Sequence, residues 1–156
     1  MAALCRLCRL EHVQVSRARL LHSGIVVRER LNSLTEAIIG AAIALHRELG
    51  PGMLEKAYER CHAFELADRG LKFERQKALP LCYRGVRLEV GYRVDLLVEG
   101  LVVVEVKSIE RLERVHSAQV LSYLRMLKLN VGLVINFNVQ LLVRDGVRRI
   151  VNNFPE

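Results

Sequence analysis

Apolar and polar positions change rhythm along this 156-residue chain, and the changes mark out its elements. Ile38, Ile39, Ala42, Ile43, His46 and Leu49 recur at helical spacing. That helix is expected to begin at Ser33, because Ser33-Leu34-Thr35-Glu36 is a capping box in which each end's side chain satisfies the other's backbone N–H. Gly50 ends it and Pro51-Gly52 turns the chain. A second helix is expected from about Met53 to Arg69, with Leu54, Ala57, Tyr58, Cys61 and Phe64 on its packing face. The rhythm then shortens to that of strands: residues 71–76, 79–83, 86–90, 92–98 and 101–108, with Pro80 favouring a sheet edge and Arg84-Gly85 a tight turn. A third helix spans about Leu112 to Leu127, its core stripe being Val120, Leu124 and Leu127. Val131 to Phe137 reads as a fully buried strand, and Asp145-Gly146 turns into a last strand, Val147 to Val151. The pattern predicts one α/β domain, a central mixed sheet flanked by helices in the order ααββββαββ.

One stretch breaks the pattern. Asp95 to Lys107 reads D-L-L-V-E-G-L-V-V-V-E-V-K and places Asp95, Glu105 and Lys107 within two apolar runs. A charge in an apolar strand is costly unless it is paired or binds a metal. Strand side chains alternate faces, so Glu105 and Lys107 project to one side. The turn decides whether Asp95 joins them. A two-residue loop at Glu99-Gly100 pairs Asp95 with Val104 and turns it to the wrong face. A three-residue loop, Glu99-Gly100-Leu101, pairs it with Glu105, and Gly100 supplies the left-handed residue such a loop wants. In that register two carboxylates and an ammonium converge, the donor set that suits Mg²⁺ with waters completing its shell. The alternative leaves Glu105 and Lys107 as solvated residues on an exposed strand, with Asp95 in an ordinary turn.

Composition adds bounds. The chain is 51% hydrophobic and 26% charged, as in an ordinary soluble domain. No apolar run approaches the ~20 residues of a membrane span. The net charge of +7 is uneven: residues 1–30 carry six arginines against two acids, and the remaining residues are only mildly basic. That fits a nucleic-acid partner without demanding one. Residues 1–31 read as a basic extension, poorly ordered, whose composition suits a targeting peptide, a misplaced start or a loose basic arm; the domain proper is expected at 32–156. Cys5 and Cys8 form C-x-x-C without a second ligand pair at zinc spacing. Cys61 and Cys82 read as small buried residues in a reducing compartment, taken as cytoplasmic.

Beyond these local readings, the D…E-V-K arrangement of Asp95, Glu105 and Lys107 resembles the PD-(D/E)XK nuclease superfamily. Gly50-Pro51-Gly52-Met53-Leu54-Glu55-Lys56-Ala57-Tyr58 matches the G-x-G-x-x-E-x-x-Y signature of its GxxExxY branch. Leu34 to Gly50 and His116 to Leu124 are also similar to that branch. The resemblance implies a restriction-endonuclease-like fold. It implies that Glu55, Asp95 and Glu105 hold a Mg²⁺ or Mn²⁺ ion and that Lys107 assists the attacking water. It implies that Gln119 and Tyr123, a Q-x-x-x-Y pair, contact the DNA strand. The superfamily's proline is replaced by Val94. The expected function is metal-dependent hydrolysis of DNA phosphodiesters, with a homodimer or protein partner completing the grip on a duplex. The alternative is a catalytically silent nuclease-fold module that binds nucleic acid or a partner protein.

Overall fold

The computed structural model describes residues 17–155. The Cys5–Cys8 pair and the first sixteen residues of the expected basic extension lie outside them. In chain order the elements are α1 (Arg17–Leu49), α2 (Glu55–Asp68), β1 (Phe73–Tyr83), β2 (Val86–Val98), β3 (Val102–Lys107), α3 (Arg114–Leu127), β4 (Val131–Asn136), a π-helical turn (Leu142–Gly146) and β5 (Val147–Val151). The five strands lie side by side in the order β1-β2-β3-β4-β5. Neighbours are antiparallel except β3 and β4, which run parallel because α3 carries the chain back between them.

Two apolar layers hold helices on both faces, and both follow from strand alternation. Leu96, Val98, Val102, Val104 and Val106 face α1 and α2, packing with Ile38, Ala42, Tyr58 and Leu66. Val103, Leu97 and Val134 face α3, packing with Val120, Tyr123 and Leu124. Gly132 lets α3 approach β4 closely: a Cβ there would stand 2.5 Å from Val120 Cγ1. Under α2 the Tyr58 ring stacks on Phe137 at 4.7 Å, and His62 meets the same ring edge-on at 5.8 Å. This is the expected mixed-sheet α/β architecture, consistent with a restriction-endonuclease-like fold.

The structure corrects several local expectations. Helix α1 does not start at Ser33; it runs on upstream to Arg17, so Ser33 and Glu36 lie within it. Residues 17–32 contain no Pro, and extending an existing helix costs far less than nucleating a new one. Thr35 Oγ1 bonds back to Asn32 O at 2.8 Å instead. The core begins one residue before Asn32, at the buried Leu31. The expected strands at 71–76 and 79–83 fuse into β1, and those at 86–90 and 92–98 into β2, leaving three strands before α3. Irregularities inside each strand absorb the break: Gln76 and Gly91 adopt left-handed φ of 50° and 74°. The packing face of α2 is rotated. Tyr58, Glu59, His62, Ala63 and Leu66 are buried, while Leu54 and Phe64 are exposed. Cys82 is exposed rather than buried, and Cys61 is half-buried.

Candidate active site

The β2–β3 turn settles the register question. Val98 pairs with Val102, Leu97 with Val103 and Leu96 with Val104, leaving Glu99-Gly100-Leu101 as a three-residue loop. Glu99 and Gly100 take left-handed φ of 52° and 66°. The register carries Asp95 to the level of Glu105. There β2 peels away from β3, and the Asp95 side chain takes the place of the missing strand partner. The Val106 N–H donates to Asp95 Oδ2 at 2.9 Å.

On the central strand β3, Glu105 is buried at 3% exposure among valines. Lys107, two residues on and on the same face, donates Nζ–H to Glu105 Oε1 at 2.8 Å. The other oxygen, Oε2, is buried and has no hydrogen-bond partner. Burial, then the negative charge of Asp95, pushes the Glu105 carboxyl up to about 7. Burial pulls the Lys107 ammonium down, but its bond to Glu105 and the charges of Glu105, Glu55 and Asp95 outweigh that and hold its pKa above the ordinary lysine value.

Glu55 reaches this neighbourhood through a braced turn. Gly50 and Gly52 are left-handed, with φ of 65° and 103°. The Tyr58 hydroxyl, one turn into α2, donates to Gly50 O at 2.6 Å and accepts from Met53 N at 3.1 Å. Ser108 Oγ, just past β3, donates to Met53 O at 2.6 Å. The turn is thus tied to the end of β3, and Glu55 opens α2 beside it. Glu55 is exposed, yet its charge raises both Glu105 and Lys107. Tyr58 therefore acts as a brace, packing its ring and holding the turn with its hydroxyl.

From the α3 side, Gln119 Nε2 donates to Tyr123 Oη at 2.7 Å. Tyr123 is buried. Burial raises its phenol, the Gln119 bond lowers it, and the charge of Glu105 raises it again, for a net upward shift. The expected pair therefore exists and borders the carboxylates electrostatically. His116 is occupied elsewhere: its Nδ1 accepts the Glu113 N–H at 2.9 Å and caps α3. His46 Nε2 lies 2.8 Å from Val139 O. His62 is fully buried, and burial lowers its pKa to about 4.

Three contributors had escaped the sequence reading. Asn136 is buried at the end of β4 and bonds the Ile109 backbone twice, fixing the loop that follows Lys107. Tyr92 on β2 meets Tyr123 edge-on at 6.3 Å. Glu59, one turn beyond Glu55, is 4% exposed and pairs with Arg75 at 3.0 Å. A second acid at i+4 from Glu55 was the available signal.

The donor chemistry suits a hard divalent cation, which takes carboxylate oxygens and keeps several waters. Glu105 Oε2 has a free acceptor aimed into no other bond, and the repulsion between Asp95 and Glu105 is what a cation would relieve. Among the described residues, no group of three or more His, Cys, Asp or Glu side chains stands close enough to enclose an ion. Glu55, Asp95 and Glu105 are neighbours by charge, not a closed ligand cluster.

A mixed sheet with a buried glutamate paired to a lysine on its central strand, and helices on both faces, is consistent with a nuclease-type α/β domain. Residues 32–150 match the family model of the PD-(D/E)XK nuclease superfamily, and the chain belongs to that superfamily. No curated protein and no solved structure matches the chain. Among the described residues no helix is long and apolar enough to cross a membrane.

Proposed function

We propose that this protein is a Mg²⁺- or Mn²⁺-dependent nuclease that hydrolyses phosphodiester bonds in DNA and belongs to the GxxExxY branch of its superfamily. The observation that carries the reading is the buried Glu105–Lys107 pair beside Asp95, with Glu105 Oε2 left without a partner. The branch assignment rests on Gly52-x-x-Glu55-x-x-Tyr58 and on the brace these residues form. Asp95 and Glu105 would hold the cation, with Glu55 supporting from the start of α2. A cation bound there supplies Lewis acidity toward water and phosphate.

The chain's own residues do the rest. Lys107 keeps its proton at neutral pH, since its pKa is raised. It serves as a donor toward the attacking water and the developing negative charge on the phosphoryl group. Glu105 fixes the ammonium at 2.8 Å, which orients that donor before substrate arrives. Gln119 and Tyr123 offer an amide and a phenol to the strand near the scissile phosphate. The exposed Cys82 and half-buried Cys61 are free thiols, which supports a reducing, cytoplasmic setting.

A second reading has its own support. Among the described residues Glu55, Asp95 and Glu105 stand near one another by charge without closing a ligand cluster around an ion. This favours a silent module that binds DNA without cutting it. Incubation with single- and double-stranded DNA in Mg²⁺ or Mn²⁺ separates the two. The nuclease reading expects cutting that Glu105→Ala abolishes and Lys107→Ala strongly slows. No cutting by wild type, or equal cutting by the variants, rejects it and leaves salt-dependent binding as the signature of the module.

A further inference from the structure

Gln76 is the residue of this site with no assigned purpose. It lies within β1 with φ of 50°, a left-handed conformation uncommon for any residue but glycine and rarer still inside a strand. Its neighbours pair regularly, Arg75 with Leu96 and Lys77 with Val94, so Gln76 stands opposite Asp95. Its amide nitrogen donates to Asp95 Oδ1 at 3.0 Å and to Glu59 Oε2 at 3.0 Å. Carboxylates only accept, so the amide must turn its nitrogen, with both hydrogens, toward the two acids. Glu59 is itself buried and fixed by Arg75.

We infer that Gln76 is a positioning residue, a clamp anchored on Glu59 that fixes the Asp95 carboxylate for cation binding; this rests on the role proposed above for Asp95. One donor now sits on each Asp95 oxygen: Gln76 on Oδ1 and the Val106 N–H on Oδ2. Two donors fix the plane of the carboxylate and leave each oxygen a further lone pair. The clamp also places a donor between two negative groups that would otherwise face each other unbridged. A strained backbone persists only where its surroundings over-determine it. Here the left-handed φ is what brings one amide within reach of a helix acid and a strand acid together.

Two readouts test the clamp without using activity. The first, in chelator, is hydrogen exchange at the Val106 amide, which the Asp95 carboxylate covers. The second is Mn²⁺ affinity by electron paramagnetic resonance, without DNA. Gln76→Leu removes both donors; Gln76→Gly removes them while accepting the left-handed backbone at no steric cost. Both variants should stay folded by circular dichroism, exchange Val106 about tenfold faster, and bind Mn²⁺ about 10–100-fold more weakly. Glu59→Gln keeps an acceptor for Gln76 and should stay near wild type in both, whereas Glu59→Ala should not. Unchanged Val106 exchange in folded Gln76→Leu or Gln76→Gly overturns the clamp. If wild type binds no Mn²⁺, the proposed function fails, and Val106 exchange alone decides the clamp.

Discussion

Replacing Glu105 by Gln should make the metal-free protein more stable, by an amount that grows as pH rises from about 4.5 to about 7 and is then constant. The side chain keeps its shape and loses its charge. The folded carboxyl titrates at about 7 against an ordinary 4.5, chiefly through burial and secondarily through Asp95. Between those values the folded state binds the extra proton, so wild-type stability falls as pH rises through the window and levels off above it. The difference of about 2.5 units corresponds to about 3 kcal/mol, a ceiling that already includes the favourable bond to Lys107. In urea unfolding with chelator, Glu105→Gln should match wild type at about pH 4 and below and exceed it by about 1–3 kcal/mol near about pH 8. At about 2–4 °C per kcal/mol, the gain should also be visible in thermal melts. Adding Mg²⁺ should close the gap by stabilising wild type alone. A variant advantage that does not change with pH would refute the reasoning, since it would not come from ionisation. So would a variant less stable than wild type at the higher pH.

Other consequences can be checked singly. Lys107→Ala should lower the cleavage rate by about 10²–10³-fold, the usual cost of losing one preorganised donor, with DNA affinity nearly unchanged; single-turnover kinetics and a binding titration measure the two. Tyr58→Phe removes the bonds to Gly50 O and Met53 N and should cost about 1–2 kcal/mol in urea unfolding. Gly132→Ala should cost about 1–3 kcal/mol in the same assay, because the new methyl must displace Val120 and also stands 3.3 Å from the Val103 carbonyl oxygen.

Much of the site was legible because its residues lie close along the chain and their geometry follows from parity. An odd-length loop or a bulge is needed to bring Asp95 level with Glu105, and the apolar run around Glu105 demanded that its charge have a use. The order of helices and strands was legible for a related reason: Val120 and Leu124 recur at helical spacing, and Val131 to Phe137 is a short apolar run rich in strand-forming residues. What was not legible depended on distant partners. Burial of Glu59 on α2 is possible only because Arg75 and Gln76 arrive sixteen and seventeen residues later. His62 is accommodated inside because Ile38 O, twenty-four residues upstream, lies 3.1 Å from its Nε2. Those polar groups rotate α2 and leave Leu54 and Phe64 outside, against the hydrophobic pattern. The capping box at Ser33 failed for a different reason: a local signal competed with a helix already growing from upstream. The fused strands hide their irregularities at Gln76 and Gly91, where a break in pattern was a twist in one strand and not an end.

The most direct test of the account is crystallographic. Crystals soaked in Mn²⁺ should show an anomalous peak at coordination distance, about 2 Å, from Glu105 Oε2 and an Asp95 oxygen, with Lys107 still bonded to Glu105 Oε1. Saturating Mn²⁺ with no peak beside Glu105, or a peak bound through residues other than Asp95 and Glu105, would contradict it.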